Sequence, residues 1–90
     1  MEKNNKLIAE FMGLKEHEGS YYLPLYNSGD WVPDVELDYH ISWDWLMPVV
    51  QKCRKDNRLE YFDMVYYALE EGDINVTYKA VIEFIKNQNN

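Results

Sequence analysis

Apolar residues first recur at helical spacing near the N-terminus. Leu7, Ile8, Phe11 and Met12 form one stripe at i, i+1, i+4 and i+5, predicting a helix over roughly 5–12 with Gly13 as the left-handed residue past its end. The run Tyr21-Tyr22-Leu23-Pro24-Leu25-Tyr26 is aromatic and β-prone; Pro24 cannot donate to a ladder, so an edge strand is expected. Asn27-Ser28-Gly29-Asp30 is turn chemistry. Val35, Leu37, Tyr39 and Ile41 then alternate with Glu36, Asp38 and His40, which predicts a second strand over 35–41 with one wet face. The two strands are expected to pair as a hairpin around a loop carrying Trp31.

From Ser42 onward the period is helical. Ser42 is placed as the N-cap of a helix over Trp43 to about Lys55, with Asp44 in its positive first turn. Trp43, Leu46, Val49, Val50 and Cys53 share one face, and Pro48 is expected to kink the helix or loosen its first turn. Asn57 and Glu60 make a capping pattern that opens a third helix, with Leu59, Phe62, Val65, Tyr66 and Leu69 as its stripe and Gly72 at its end. The β-prone composition of 61–69 leaves a strand as the alternative. Asp73 is the expected cap of a fourth helix, in which Ile74, Tyr78, Val81, Ile82 and Ile85 form the main face. Val76, Ala80 and Phe84 form a second stripe, leaving a polar wedge of Lys79, Glu83 and Lys86. A helix apolar on two sides is either central to a fold or half of an interface. Residues 86–90 are expected to fray. The fold class is therefore helix-dominated α+β, a short two-stranded hairpin packed against three to four helices in a single domain over 1–90.

Composition supports a packed domain: 47% of the 90 residues are hydrophobic and 16% aromatic, too many for a disordered chain. No run approaches the ~18 apolar residues of a membrane span, and the polar start Met1-Glu2-Lys3-Asn4-Asn5-Lys6 does not read as a signal peptide. The single cysteine, Cys53, forms no intramolecular disulfide and is expected as a small core residue in a reducing compartment, the cytoplasm by default. The net charge of −7 is confined. Between Lys15 and Lys52 there is no Lys or Arg but seven acids (Glu16, Glu18, Asp30, Asp34, Glu36, Asp38 and Asp44), while the rest of the chain balances nine acids with nine bases. Such a field repels nucleic acid and membrane surfaces and speeds encounter with a basic partner. The basic group Lys52, Arg54, Lys55 and Arg58 complements a helix C-terminus.

Three segments resemble a set of small uncharacterised proteins encoded by phages, prophages and other mobile elements, notably of Bacteroides-like bacteria. They are Leu7-Ile8-Ala9-Glu10-Phe11-Met12-Gly13, Tyr39-His40-Ile41-Ser42-Trp43-Asp44-Trp45-Leu46-Met47-Pro48-Val49-Val50 and Thr77-Tyr78-Lys79-Ala80-Val81-Ile82-Glu83-Phe84-Ile85-Lys86, about a third of the chain. The opening helix and the Tyr39-to-Val50 pattern are also similar to the phage ABA-sandwich domain, built of α-β-α layers. Where that domain continues into strands after its second helix, this chain continues helically. The resemblance implies a small accessory protein working in a bacterial cytoplasm, and it brings no activity with it.

Candidate chemistry is sparse. On a strand, Asp34, Glu36, Asp38 and His40 would share one face, a set acceptable to hard or borderline metals; collinear neighbours cannot enclose an ion without ligands from elsewhere, so a solvated face is expected. Glu16-His17-Glu18 is expected in a polar turn. No phosphate loop, nucleophile elbow, H-E-x-x-H or paired-cysteine motif occurs. Trp43 and Trp45 lie about 200° apart on a helix, so one is expected at the rim, packed under the hairpin. Tyr21, Tyr22 and Tyr26 could stack bases, but no Lys or Arg is interleaved with them. These residues are expected to serve binding rather than catalysis, without metal or cofactor. The expected partner is a macromolecule, a basic protein, met by Asp30, Trp31, Asp34, Glu36, Asp38, His40 and Trp45; inhibition of a host factor, or mimicry of nucleic acid, is one concrete form. The alternatives are a small metal-dependent enzyme using Asp38 and His40, and a self-assembling protein using the second stripe of the fourth helix.

Overall fold

The computed structural model describes residues 2–25, 28–55 and 59–88. Among them the chain forms four α-helices and a three-stranded antiparallel sheet, a helix-dominated α+β architecture. In order these are α1 (Glu2–Phe11), β1 (Glu16–His17), β2 (Ser20–Leu25), β3 (Ser28–Pro33), a 3₁₀ turn (Asp34–Glu36), α2 (Trp43–Lys55), α3 (Leu59–Glu70) and α4 (Ile74–Gln88). By contact density the chain divides into two compact units, Met1–Leu37 and Asp38–Asn90.

In the first unit α1 ends as its sequence dictates. Gly13 is left-handed, φ 74°, and the Leu14 and Gly13 amides donate to the Ala9 and Glu10 carbonyls at 3.1 and 3.0 Å, a Schellman closure. The buried face is rotated from the predicted stripe: Asn5, Ile8 and Ala9 are buried, whereas Leu7, Phe11 and Met12 are half-buried. Asn5 joins that face because its amide donates to the Leu37 carbonyl at 2.8 Å. The sheet order is β1-β2-β3, with Tyr22 opposite Trp31 and Leu25 opposite Ser28. Glu18 and Gly19, both at positive φ (50° and 83°), join β1 to β2 in the two-residue geometry of a primed hairpin turn. Pro24 lies beyond the two residues that β1 covers, on a stretch of β2 paired only with β3.

Two expectations fail here. Ser28, Gly29, Asp30 and Trp31 belong to β3 rather than to a turn and loop, while Tyr26 and Asn27 lie outside the described residues. The predicted strand over 35–41 does not form: Asp34–Glu36 is a 3₁₀ turn, and the Ile41 and Ser42 amides both donate to the Asp38 carbonyl at 3.1 and 3.0 Å. The period-two signal came from burial without a strand. Leu37 and Tyr39 are buried, but Val35 and Ile41 are 62% and 65% exposed. Pro33 cannot donate to a further ladder, and β2 already has its partner in β3, which takes pairing away from 35–41.

In the second unit α4 is the central helix. Tyr78, Val81, Ile82 and Ile85 on one side and Ala80 and Phe84 on the other are buried, with α3 and α2 both packed against it. The second stripe is thus mostly core; Val76 alone of the three remains substantially exposed, at 37%. Asp73 caps α4 as expected, its Oδ1 accepting from the Asn75 and Val76 amides at 2.8 and 3.4 Å. Thr77, fully buried, directs its hydroxyl at the Ala68 and Asp73 carbonyls. In α2 the buried positions are Leu46, Val49, Val50 and Cys53, and Ser42 holds the N-cap position, its carbonyl accepting from Trp45 and Leu46. Pro48 is exposed and, having no N–H, cannot donate to the Asp44 carbonyl one turn back. α3 is a helix, yet Tyr66 is 49% exposed and Ala68 buried, because its core side runs through Val65 and Ala68. The Asn57 cap lies outside the described residues. Lys86, Asn87 and Gln88 continue α4, and 89–90 lie outside the described residues.

Candidate functional site

Strand alternation sorts the sheet into two faces. Tyr21 and Leu23 are buried on one. The opposite face carries His17, Tyr22 and Trp31, since His17 pairs with Ser20 and Tyr22 with Trp31. These three rings touch: Tyr22 meets Trp31 edge-on at 5.4 Å between centroids, and His17 meets Trp31 at 6.3 Å. Gly29 makes the arrangement possible, because the Tyr22 ring lies where a β-carbon on Gly29 would stand. Trp31 is nevertheless 51% exposed, and the His17 side chain 75%. This outer face is apolar, aromatic and open.

Acids lie near it. Glu18 in the β1–β2 turn is 3.9 Å from His17 Nε2. Asp30, although exposed, pairs with Leu23 and so falls on the opposite sheet face from Trp31, not with it as expected; just past β3 the 3₁₀ turn exposes Val35 and Glu36. Asp34 is the exception: Lys6 of α1 holds it at 3.1 Å, so it anchors the turn instead of offering free charge. On the opposite, buried face the Tyr21 hydroxyl pKa is raised first by burial and then by Glu10 and Glu16, with Asp34 adding to this and Lys6 opposing it.

The structure therefore brings Asp30, Trp31, Asp34 and Glu36 into the first unit and puts Asp38, His40 and Trp45 in the second. Because 34–36 is a 3₁₀ turn and 38–41 a bend, the shared strand face expected of Asp34, Glu36, Asp38 and His40 does not exist. His40 is half-buried edge-on to Tyr78 at 6.0 Å, and Trp45 half-buried edge-on to Tyr39 at 5.2 Å. Among the described residues no group of three or more His, Cys, Asp or Glu is placed to hold a metal ion, and no helix is long and apolar enough to cross a membrane. Tyr21 and Tyr22 point to opposite sheet faces, so they do not make the single stacking platform their adjacency suggested; Tyr22 is joined by His17 and Trp31 instead. Glu18-Gly19 was the available signal for His17, since a turn there places His17 in a strand.

Compared with protein-family models, curated proteins and solved structures, the chain finds no match.

Proposed function

We propose that this protein is a binding module that meets a basic protein partner through the outer face of its sheet. The half-exposed Trp31, held edge-on by Tyr22 and His17 with Glu18 beside His17 and the exposed Glu36 just past β3, carries this reading. A monomer leaves a tryptophan half in water at a cost in apolar exposure, and buried tryptophans are enriched among the residues that dominate interfaces. An arginine or lysine of the partner can stack on the indole face, worth roughly 0.5–1 kcal/mol when exposed and about 2 when desolvated, while nearby carboxylates accept its N–H groups. The seven-acid interval without a base supplies the long-range attraction. Set beside the resemblance to phage and mobile-element proteins, the reading makes a host factor the expected partner and the bacterial cytoplasm the expected setting.

Affinity capture from a bacterial lysate with wild type and Trp31→Ala tests it. A basic protein captured by the wild type should be lost or strongly depleted with Trp31→Ala, both baits showing the same circular dichroism. Equal recovery on the two baits would refute the proposal.

A further inference from the structure

α3 and α4 form a helical hairpin joined through the turn at Glu71-Gly72-Asp73. A groove of about 360 Å³ runs between their outward sides. Ala68 and Ala80 form its floor, and Met64, Tyr67 and Val76, which are 37%, 65% and 37% exposed, form its walls. Small residues on the floor let another backbone approach closely. Val76 and Glu83, with Ala80 between them, are seven positions apart on α4, so this side of the groove is about 10 Å long at 1.5 Å per residue, two helical turns. The charges on its rim are ordered: Glu71 at the hairpin end, Lys79 between, and Glu83 at the far end.

That order decides the occupant. A second copy docked about a two-fold axis would bring the same acid–base–acid series back reversed, setting Glu71 against Glu83 and Lys79 against Lys79. Like charges would face each other in a chain whose net charge is already −7. Complementarity demands the opposite series. We propose that the groove receives one amphipathic helix of another protein, with apolar residues at i, i+3 and i+4 seated between Met64, Tyr67 and Val76 and with Lys or Arg at both ends of that stripe, over Glu71 and Glu83. The site lies in the second unit and is independent of the Trp31 face, so the protein carries two contact surfaces.

The test uses the full chain and three synthetic helical peptides sharing one leucine stripe: one flanked by Lys at both ends of the stripe, one by Glu, and one broken by a central Pro. Fluorescence anisotropy should show the Lys peptide binding about tenfold more tightly than the Glu peptide, and the Pro peptide not binding. Glu71→Lys with Glu83→Lys should invert the preference, Tyr67→Ala should weaken the Lys peptide at least several-fold, and Trp31→Ala should leave it unchanged. All these positions are exposed, so folding is retained and checked by circular dichroism. Indifference to flanking charge, or to Tyr67→Ala, would overturn the proposal. So would a concentration-dependent dimer in sedimentation equilibrium that Val76→Glu abolishes, since the occupant would then be a second copy.

Discussion

Two neighbouring residues of α1 tie down the segment that displays Val35 and Glu36, and their contributions to stability should differ in an order opposite to their charge. Asn5 is 2% exposed and donates to the Leu37 carbonyl at 2.8 Å; Lys6 bridges Asp34 at 3.1 Å with its side chain 46% exposed. Removing the Asn5 amide leaves a carbonyl without its side-chain donor and opens a small void, so Asn5→Ala should cost about 2–3 kcal/mol. Removing Lys6 exchanges an ion pair that water reaches for a lone Asp34 carboxylate, 22% exposed, that water can hydrate, so Lys6→Ala should cost at most about 1 kcal/mol. A 90-residue domain has a total stability of about 5–13 kcal/mol, which makes the first loss large and the second minor. Urea denaturation followed by circular dichroism measures both, read at constant m. Sodium chloride should erase the Lys6 effect and leave that of Asn5. A Lys6→Ala loss equal to or larger than that of Asn5→Ala would refute the reasoning, because the ion pair would then be acting as a desolvated one.

Asp73→Ala should lower stability by about 1 kcal/mol by orphaning the Asn75 and Val76 amides at the start of α4, measured as a shift of the urea midpoint. Glu18→Asn should raise stability by roughly 0.5–1 kcal/mol, because Glu18 occupies left-handed backbone that Asn adopts more readily; a lower thermal midpoint would contradict this. Burial pushes the Tyr39 and Tyr78 hydroxyls up to about 12 from 10. Their neutral forms are thus favoured in the fold, and the unfolded chain loses these protons first. Stability from this source is complete below pH 10 and is lost as the pH rises from 10 to 12. Urea midpoints across that window, with phenolate absorbance followed in parallel, check both the direction and the range.

The helices were legible because each carries its own punctuation: Gly13 and Gly72 past the ends of α1 and α3, and Asp73 before α4, act within a turn or two of sequence. Which helix face is buried was less legible. Asn5 replaced Leu7 and Met12 on the core side of α1 because its partner, the Leu37 carbonyl, is 32 residues away. The sheet was misplaced for a related reason. Val35 to Ile41 has the alternation of a strand, but pairing is decided by the Tyr22–Trp31 contact and by the room Gly29 leaves, neither of which periodicity encodes. The candidate site was half visible: Trp31 and Glu36 stood out by aromaticity and charge, while His17 and Tyr22 entered only through the register that lays them beside Trp31 and that turns Asp30 to the other face. The groove was foreshadowed by the second stripe of α4, although Ala80 and Phe84 turned out to be buried and its walls come mainly from α3.

The central claim, that an acidic and aromatic sheet face meets a basic protein, is tested most directly by stopped-flow association of the captured partner at several ionic strengths. Glu18 and Glu36, both exposed, are reversed together to Lys, and Asp63 and Glu70 of α3 serve as the control reversal. The account predicts that the sheet-face reversal slows association by at least about tenfold at low salt and flattens its salt dependence, while the control changes the rate far less. Equal rates and equal salt slopes for the two reversed proteins would contradict it, leaving the acidic interval as nothing more than a solvated surface.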